Sequence, residues 1–375
     1  MSILIGADLV PTETNYDMFR SADIDKLVGA KLKDILINAD YRIFNLEVPL
    51  INENAPIDKC GPNLIAPENT IRGIKSMGVN LFTIANNHIM DQGVQGLEST
   101  CDLLQKNGIS YVGVGKNLSE AAQPYIFTYK GKKIGVYACA EHEFSIAGEH
   151  SCGANPFDPL ESPDHVRKLK SECDYVIVLY HGGKEHYRYP SPNLQKVCRK
   201  LIDRGADLVV CQHSHCIGCV EEYNGGTIVY GQGNFLFDHS ESEYWQTSLL
   251  IQINDDFKIT YLPIVKYKEG VRLADADKAD DIIKQFNVRS EEIKQEGFID
   301  NKYGDFAQDK IEEYLAAVLA INDGFAYRAI NKLTNHKFKK WIISRKYNQK
   351  KRLILQNFIE CEAHRELMLK GINNG

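Results

Sequence analysis

Short, continuous apolar runs alternate with stretches whose apolar residues recur at helical spacing. Such runs predict strands buried on both faces, and the intervening stretches predict helices. The predicted strands occupy residues 2–10, 41–48, 79–86, 110–115, 132–140, 173–181 and 205–213. The predicted helices occupy residues 69–78, 93–108 and 193–205. This alternation predicts parallel strand–helix units in the first part of the chain.

The pattern changes twice toward the C-terminus. Strand-like runs follow one another at 225–234, 248–256 and 257–267, which predicts antiparallel pairs. From about residue 275 the apolar spacing is helical, with predicted helices at 280–297 and 309–321 before a long basic stretch. We therefore predict an α/β domain over residues 1–270 and a helical C-terminal extension over residues 271–375.

Composition narrows the class of protein. The 375 residues are 43% hydrophobic and 25% charged, which is typical of a soluble globular protein. The net charge of -6 argues against a nucleic-acid-binding protein. No apolar run reaches the roughly 20 residues that a membrane span needs, and no basic leader precedes the first apolar run. A cytoplasmic location is the expectation.

Three of the ten cysteines lie close to two histidines in the stretch CQHSHCIGC, residues 211–219. The scattered positions of the ten favour reduced thiols over a disulfide framework. A zinc knot would need a second Cys/His pair at finger spacing, and none follows. A redox pair of Cys216 and Cys219 stays open. The strongest indication of a metal site in this stretch is His-Ser-His, because two imidazoles on one strand would face the same side.

Polar residues, most of them potential metal ligands, lie at or just past the ends of predicted strands in five places. In open α/β sheets, ligand sites lie beyond the carboxyl ends of the strands. Carboxylates, amides and imidazoles together suit Mn, Fe or Zn. Two such ions, ~3.5–4 Å apart, can hold a hydroxide that attacks a phosphate ester. The residues are Asp8; Asn45 and Glu47; Asn86, Asn87, His88 and Asp91; His181, Lys184 and Glu185; and His213 and His215.

These five stretches resemble the CapA family of bacterial capsule-synthesis proteins, a branch of the calcineurin-like metallophosphoesterase superfamily. The resemblance covers roughly residues 3–240 and ends with IVYGQGNFLFD at 228–238. It implies a calcineurin-like four-layer α/β/β/α sandwich. It also implies two divalent metal ions (Mn, Fe or Zn) with a bridging carboxylate at Glu47. The implied metal ligands are Asp8, Glu47, Asn87, His181, His213 and His215.

The resemblance also implies roles around the metals. His88 would be the general acid, and Asp91 would orient the His88 ring. We expect substrate contacts from Asn86, Lys184, Glu185 and Asn234. Lys184 and Glu185 could instead be solvated, and Asn234 could have a role in a turn. The chain departs from the pattern at Val10, where the superfamily usually has a histidine, and at Gly182, where the family often has an aromatic residue. Gly182 predicts a wider pocket.

The implied function is a metal-dependent hydrolase in capsule, exopolysaccharide or polyglutamate biosynthesis. A metal-activated hydroxide would attack phosphorus, and His88 would protonate the leaving oxygen. One alternative is a non-catalytic accessory protein of a capsule-assembly complex. Another is a hydrolase or transferase that acts on amide bonds of a polyanionic polymer. The expected partners are a phosphorylated or polyanionic small molecule or polymer, together with capsule-assembly proteins.

A basic stretch follows in the helical extension. Residues 328–352 contain ten Lys or Arg and no acid, with Trp341 among the apolar residues between them and Leu353 directly after the last. One interpretation is an amphipathic helix that packs its apolar side on the protein. The other is peripheral contact with an anionic membrane surface.

Overall fold

The computed structural model of the protein describes residues 2–318, 325–335 and 337–373. Contacts divide the chain into two units, Met1–Ile299 and Asp300–Gly375. The first unit contains two large β-sheets, and the second is helical.

The first sheet has eight strands and combines parallel and antiparallel pairs. Its order is β16-β15-β14-β1-β2-β3-β4, and β13 pairs with the far end of β1. Strands β1 to β4 are parallel, whereas β14 to β16 are antiparallel. The sequence predicts the parallel part and the antiparallel pair of β14 and β15, but not β16. The strands are β1 (Ser2–Val10), β2 (Tyr41–Leu46), β3 (Leu81–Thr83), β4 (Ser110–Val112), β13 (Asn234–Phe237), β14 (Thr247–Asn254), β15 (Ile259–Tyr267) and β16 (Gly270–Leu273).

The second sheet has six strands in the order β11-β12-β10-β9-β7-β6. Its four central strands are parallel, and β6 and β11 pair antiparallel at the edges. The strands are β6 (Tyr125–Tyr129), β7 (Lys132–Ala140), β9 (Tyr175–His181), β10 (Leu208–Gln212), β11 (Val220–Tyr223) and β12 (Gly226–Tyr230). A separate short pair joins β5 (Val114–Gly115) to β8 (Gly153–Ala154).

Three apolar clusters define four layers. Between the sheets, side chains such as Ile5 and Ile43 pack with Ile177 and Val210 of the opposite sheet. The outer face of the first sheet packs on α1 (Tyr16–Arg20), α2 (Ile24–Asn38), α3 (Ile71–Ser76) and α4 (Gly93–Lys106). The outer face of the second packs on α6 (Ser162–Glu172) and α7 (Pro192–Asp203), and α5 (Leu118–Ala121) is a single turn. The predicted four-layer α/β/β/α sandwich is confirmed.

Helix α8 (Ala276–Glu292) packs its buried Ile282 and Phe286 against Ile217 and Leu249. The first unit therefore continues to Ile299, whereas the helical pattern led us to place a boundary after residue 270. Burying those two side chains explains why the first helix after the sheets stays with the sandwich, since each contributes on the order of 2 kcal/mol.

The second unit begins within α9 (Phe298–Val318), which covers the described part of the predicted helix 309–321; residues 319–321 lie outside the described residues. The described residues after 318 form four helices: α10 (Phe325–Leu333), α11 (Lys337–Lys346), α12 (Gln349–Glu360) and α13 (Glu362–Asn373). A small apolar cluster of Leu315, Ala316 and Ile343 lies inside the unit. Among the described residues, no helix is both long and apolar enough to cross a bilayer.

Candidate metal centre

The carboxyl ends of strands from both sheets meet at one end of the sandwich. Asp8 lies in β1 and Glu47 directly follows β2. His181 is the last residue of β9, and its ladder partner is Gln212, the last residue of β10. Residues that are distant in sequence therefore lie together at this end of the sandwich, as the sequence predicts.

Two groups of side chains in this pocket could each hold a metal ion. One group is Glu47, His181 and His213, and the other is Asp8, Glu47 and His215. Within each group, one ligand atom per residue lies within 4.8 Å of the others. Glu47 belongs to both groups, so one carboxylate can bridge two cations. Every residue of both groups is buried.

The unsatisfied atoms of these residues fit bound cations. Asp8 Oδ2, both Glu47 carboxylate oxygens and His213 Nδ1 are buried without a hydrogen-bond partner. An unpaired polar atom in a protein interior costs free energy, and a buried carboxylate costs more. Divalent cations would satisfy these lone pairs, and the mixture of carboxylates and imidazoles matches Mn, Fe or Zn.

Burial also sets the protonation of the group. It raises the pKa of Asp8 to about 7, and burial together with the charge of Asp8 raises the pKa of Glu47 well above its usual value. Burial lowers the pKa of His213 and of His215 to about 3 each, and it lowers the pKa of His181 as well. The imidazoles are thus neutral and able to bind a metal at neutral pH, while the raised pKa values make both carboxyl groups hold their protons to higher pH than usual.

We predict that metal affinity rises with pH in protein stripped of metal by a chelator. A cation must displace protons from Asp8 and Glu47, whereas the neutral histidines release none. Affinity should therefore increase up to ~10-fold per pH unit for each displaced proton between about pH 5 and pH 7. Titration calorimetry in buffers of different ionisation enthalpy counts the released protons. An affinity that does not change over this range would contradict the prediction.

Asparagine side chains support the carboxylates and imidazoles. Asn45 Nδ2 donates to Asp8 Oδ1 at 2.8 Å and lies 3.2 Å from His181 Nδ1. Asn86 Nδ2 donates to Asn45 Oδ1 and to the carbonyl of Leu46. Asn86 is fully buried by these contacts, so the substrate contact expected of it has no support in this geometry. Asn87, the predicted amide ligand, places Oδ1 3.0 Å from His181 Nε2.

The His-Ser-His segment differs from the strand geometry that the sequence predicts. Strand β10 ends at Gln212, and His213 and His215 adopt φ values of +87° and +54°. Such left-handed conformations cost about 1–3 kcal/mol each at residues other than glycine. The turn still brings the two rings together, with centroids 6.0 Å apart.

Asn234 fixes the second ring of this segment. Its Oδ1 lies 2.9 Å from His215 Nδ1, and its backbone pairs with Asp8 across β1 and β13. We expected Asn234 to contact substrate. The structure instead engages its amide oxygen with a histidine of the centre, which fits a role in orienting that ring.

His88 and Asp91 form the pair that the sequence predicts. His88 Nδ1 donates to Asp91 Oδ2 at 2.6 Å, because a carboxylate only accepts. The other Asp91 oxygen binds Lys59 Nζ, and Nζ also lies 3.4 Å from His88 Nδ1. Asp91 Oδ2 accepts a further bond from the backbone N–H of Leu64. Lys59 comes from a polar loop without a recognisable motif, so sequence reasoning missed it.

We predict that Lys59→Met lowers the free energy of unfolding by about 3 kcal/mol, because it removes the lysine that neutralises the buried charge of Asp91. The side chains of Lys59 and Asp91 are only 3% and 0% exposed. Urea unfolding followed by circular dichroism measures the change. Lys258→Met is the matched control, since Lys258 pairs with Asp256 on the surface; its unfolding midpoint should stay that of the parent. Equal midpoints for the two variants would refute a stabilising role for Lys59.

The rim of the pocket carries charges. The charge of Lys184 contributes to lowering the pKa of His213, and that of Glu185 contributes to raising the pKa of Glu47, so both predicted substrate contacts lie near the centre. Glu143, which we did not predict, accepts from Asn87 Nδ2 at 3.3 Å and lies 4.0 Å from His213 Nε2. Its only sequence signal was its position just after an apolar strand.

Gly182 does not widen the pocket, contrary to our expectation. A Cβ at this position would lie 2.7 Å from Glu141 Cγ and 2.9 Å from Glu141 Oε1. The Glu141 carboxylate therefore fills the space and accepts from the backbone N–H of Gly183 at 3.1 Å. The absence of a side chain at Gly182 leaves room for the Glu141 carboxylate.

The cysteines around the histidines are packing residues. Cys211, Cys216 and Cys219 are buried, and neither metal-capable group contains a cysteine. Burial raises the pKa of Cys216 to about 11 and raises that of Cys219, so neither thiol is activated. All ten cysteines lie in described parts of the chain, and none forms a disulfide. A zinc knot and an active redox pair both lack support.

Known proteins resemble the chain over the sandwich. It is 31% identical over 209 residues to the "PGA biosynthesis protein CapA" of Bacillus subtilis, covering 53% of this chain and 54% of the relative. It is 29% identical over 214 residues to the "Capsule biosynthesis protein CapA" of Bacillus anthracis, covering 54% and 52%. The chain thus spans about half the length of these relatives.

One solved structure with a similar fold is a putative 5'-nucleotidase from Staphylococcus aureus in complex with alpha-ketoglutarate. It is 12% identical to this chain with a TM-score of 0.44, and the match covers 76% of this chain and 58% of that chain. Residues 2–239 match the model of a family described as bacterial capsule synthesis protein PGA_cap. This part of the chain contains every residue of the two metal-capable groups. The chain belongs to this capsule synthesis family.

Proposed function

We propose that the protein is a metal-dependent hydrolase of phosphate esters that works in the synthesis of a capsule, exopolysaccharide or polyglutamate polymer. The observation that carries the proposal is the sharing of Glu47 by two buried groups of metal-capable side chains. A degenerate binding site would be expected to lose ligands. Here the predicted carboxylates and imidazoles all reach the centre.

Two divalent cations at this centre would supply Lewis acidity and lower the pKa of water. The protein's own residues account for the remaining steps. Asp91 holds the His88 Nδ1–H, which leaves Nε2, on the opposite side of the ring, to give a proton to the leaving oxygen. Asn234 orients His215, and Asn45 holds Asp8. Lys184 on the rim is placed to attract an anionic substrate.

The test combines metal analysis with a substrate panel. Purified protein is loaded with Mn²⁺, Zn²⁺ or Fe²⁺, and hydrolysis of aryl phosphate monoesters and diesters is measured. Poly-γ-glutamate is included to detect cleavage of amide bonds in a polyanionic polymer. We expect bound metal and metal-dependent release of the aryl alcohol. His213→Ala should bind less metal and lose this activity.

Two outcomes would favour the alternatives. Bound metal without hydrolysis of any ester or amide would support an accessory protein that uses the centre only for binding. Cleavage of poly-γ-glutamate without ester hydrolysis would support an amide-bond hydrolase. The names of the two Bacillus relatives refer to capsule and PGA biosynthesis, which is why a polyanionic polymer and capsule-assembly proteins are the partners that we propose.

We also propose that the basic stretch 328–352 binds an anionic membrane surface. Helix α12 exposes Leu353, Ile354 and Ile359 by 58%, 49% and 57% of their surfaces. Lys350 and Lys351 lie on the same helix and are exposed. Exposed apolar side chains beside cations are typical of helices that lie in a membrane interface. Position 336 and the side chain of residue 328 lie outside the described residues.

We predict that the protein cosediments with phosphatidylglycerol vesicles. Each cation near an anionic surface contributes about 1 kcal/mol, so replacing Lys350 and Lys351 by Gln should weaken binding on the order of 30-fold. Vesicles of phosphatidylcholine alone serve as the control and should bind weakly. Equal binding to both kinds of vesicle would refute the electrostatic part of the proposal, and binding to neither would refute the whole of it.

A further inference from the structure

A second set of cations lines a cavity outside the candidate metal centre. The cavity has a volume of about 400 Å³ and is lined by α8, β14, β15 and the 3-10 turn Glu243–Gln246. Four cationic and two acidic side chains line it. The cations are Arg188, Lys266, Lys278 and Arg289, and the acids are Glu243 and Asp281.

Two of these cations are held in place by neighbouring backbone carbonyls. Arg188 Nη1 donates to the carbonyl of Ile217 at 3.1 Å, and Arg289 Nε donates to that of Gly218 at 2.7 Å. Burial lowers the pKa of Arg289, and the charge of the Arg188 guanidinium lowers it further. Two arginines therefore line one cavity and bind consecutive backbone carbonyls, and each disfavours the charge of the other.

The two arginines differ from the lysines in how their charges are paired. Arg289 is only 9% exposed, and no carboxylate of the described residues lies within ion-pair distance of it. Arg188 pairs with the exposed Glu243 at 3.7 Å, and its guanidinium carbon lies 4.8 Å from the centroid of the Tyr244 ring. Lys266 pairs with Asp238 and Glu241, and Lys278 pairs with Asp281. The positive charge without an ion-pair partner among the described residues is therefore that of Arg289, and Arg188 beside it is paired only with a carboxylate that solvent reaches.

This arrangement favours a phosphate over a carboxylate. A single guanidinium can bind one carboxylate through two parallel hydrogen bonds. Two guanidinium groups on one side of a cavity match a dianion with several oxygens, and arginine is the preferred residue for phosphate recognition. The volume can hold a phosphate together with a small attached group.

We propose that this cavity binds a phosphate group, either as inorganic phosphate or as part of a small phosphorylated ligand. The site is separate from the candidate metal centre but adjoins it. Trp245, in the 3-10 turn that lines the cavity, lies with its ring centroid 4.5 Å from that of His215. Its Nε1–H donates to His186 Nε2 at 3.0 Å. The proposal does not depend on hydrolase activity.

The experiment measures phosphate binding to the full chain by titration calorimetry. The His213→Ala variant, treated with a chelator, serves as the parent so that phosphate cannot bind through metal. Inorganic phosphate, pyrophosphate and a glutamate oligomer are compared at constant ionic strength set with sodium chloride. We expect saturable binding of phosphate or pyrophosphate. Adding Arg289→Gln should weaken this binding at least 10-fold.

Two further variants make the result specific. Lys284→Gln removes the same charge from an exposed position of α8 outside the cavity, and it should bind phosphate like the parent. Arg188→Gln tests the second guanidinium and replaces Arg289→Gln if that variant does not fold. The proposal is wrong if neither phosphate compound binds, if both arginine variants bind as the parent does, or if the glutamate oligomer binds more tightly than phosphate and pyrophosphate.

Discussion

Glu47→Gln is expected to empty both metal positions at once. The amide keeps the shape of the side chain but loses the charge that the two groups share. We expect bound metal to fall to background and hydrolysis to drop on the order of 10³-fold, because metal ions supply several kcal/mol of transition-state stabilisation. Elemental analysis of the purified variant measures the metal, and the aryl phosphate assay measures the rate.

The variant should remain folded, since the amide keeps the shape of the side chain and adds no charge to a buried site. Glu185→Gln is the matched control. It makes the same change, from a carboxylate to an amide, near the centre. Glu185 belongs to neither metal-capable group, so the metal content of this variant should match that of the parent. Retention of a full complement of metal by Glu47→Gln would show that Glu47 does not bridge.

His88→Ala should separate metal binding from turnover. His88 is in neither metal-capable group, and Asp91 holds its Nδ1. We expect full metal content and a rate lower by about 10²–10⁴-fold, the usual contribution of a general acid. The loss should be largest for esters with poor leaving groups, which need the proton most, and smallest for nitrophenyl esters.

The exposed His150 provides the control for this prediction, and His150→Ala should hydrolyse every ester at the parental rate. A His88→Ala variant as fast as the parent, or one with an equal loss for all leaving groups, would contradict proton donation by His88. Loss of metal from this variant would place His88 among the ligands instead.

The apolar runs predicted the sandwich because its central strands are buried on both faces. Strand β1 is an example, since all nine of its residues are buried. Strand β6 was not predicted, because it is an edge strand in which partly buried and exposed residues alternate. Strand β3 is shorter than its apolar run, since the backbone after Thr83 turns into the loop that carries Asn86 and His88.

The candidate site was predicted as far as its residue types form motifs. Asp8, Glu47, His181 and the two histidines of His-Ser-His all reach one pocket. The left-handed backbone at His213 was not predicted, because it depends on tertiary contacts rather than on local preference. Lys59 was missed for a similar reason. A lysine in a polar loop normally stays in solvent, and only the fold shows that this one is buried against Asp91.

The segment of residues 57–64, which includes Lys59, contacts Asp91, the aspartate that holds the His88 ring. Besides Lys59, the backbone N–H groups of Ile57 and Leu64 donate to Asp91, to its carbonyl and its carboxylate respectively. A protease that cut between residues 57 and 64 would therefore loosen the contacts that position Asp91, while Asp91, His88 and the candidate cation ligands all lie outside the cut segment.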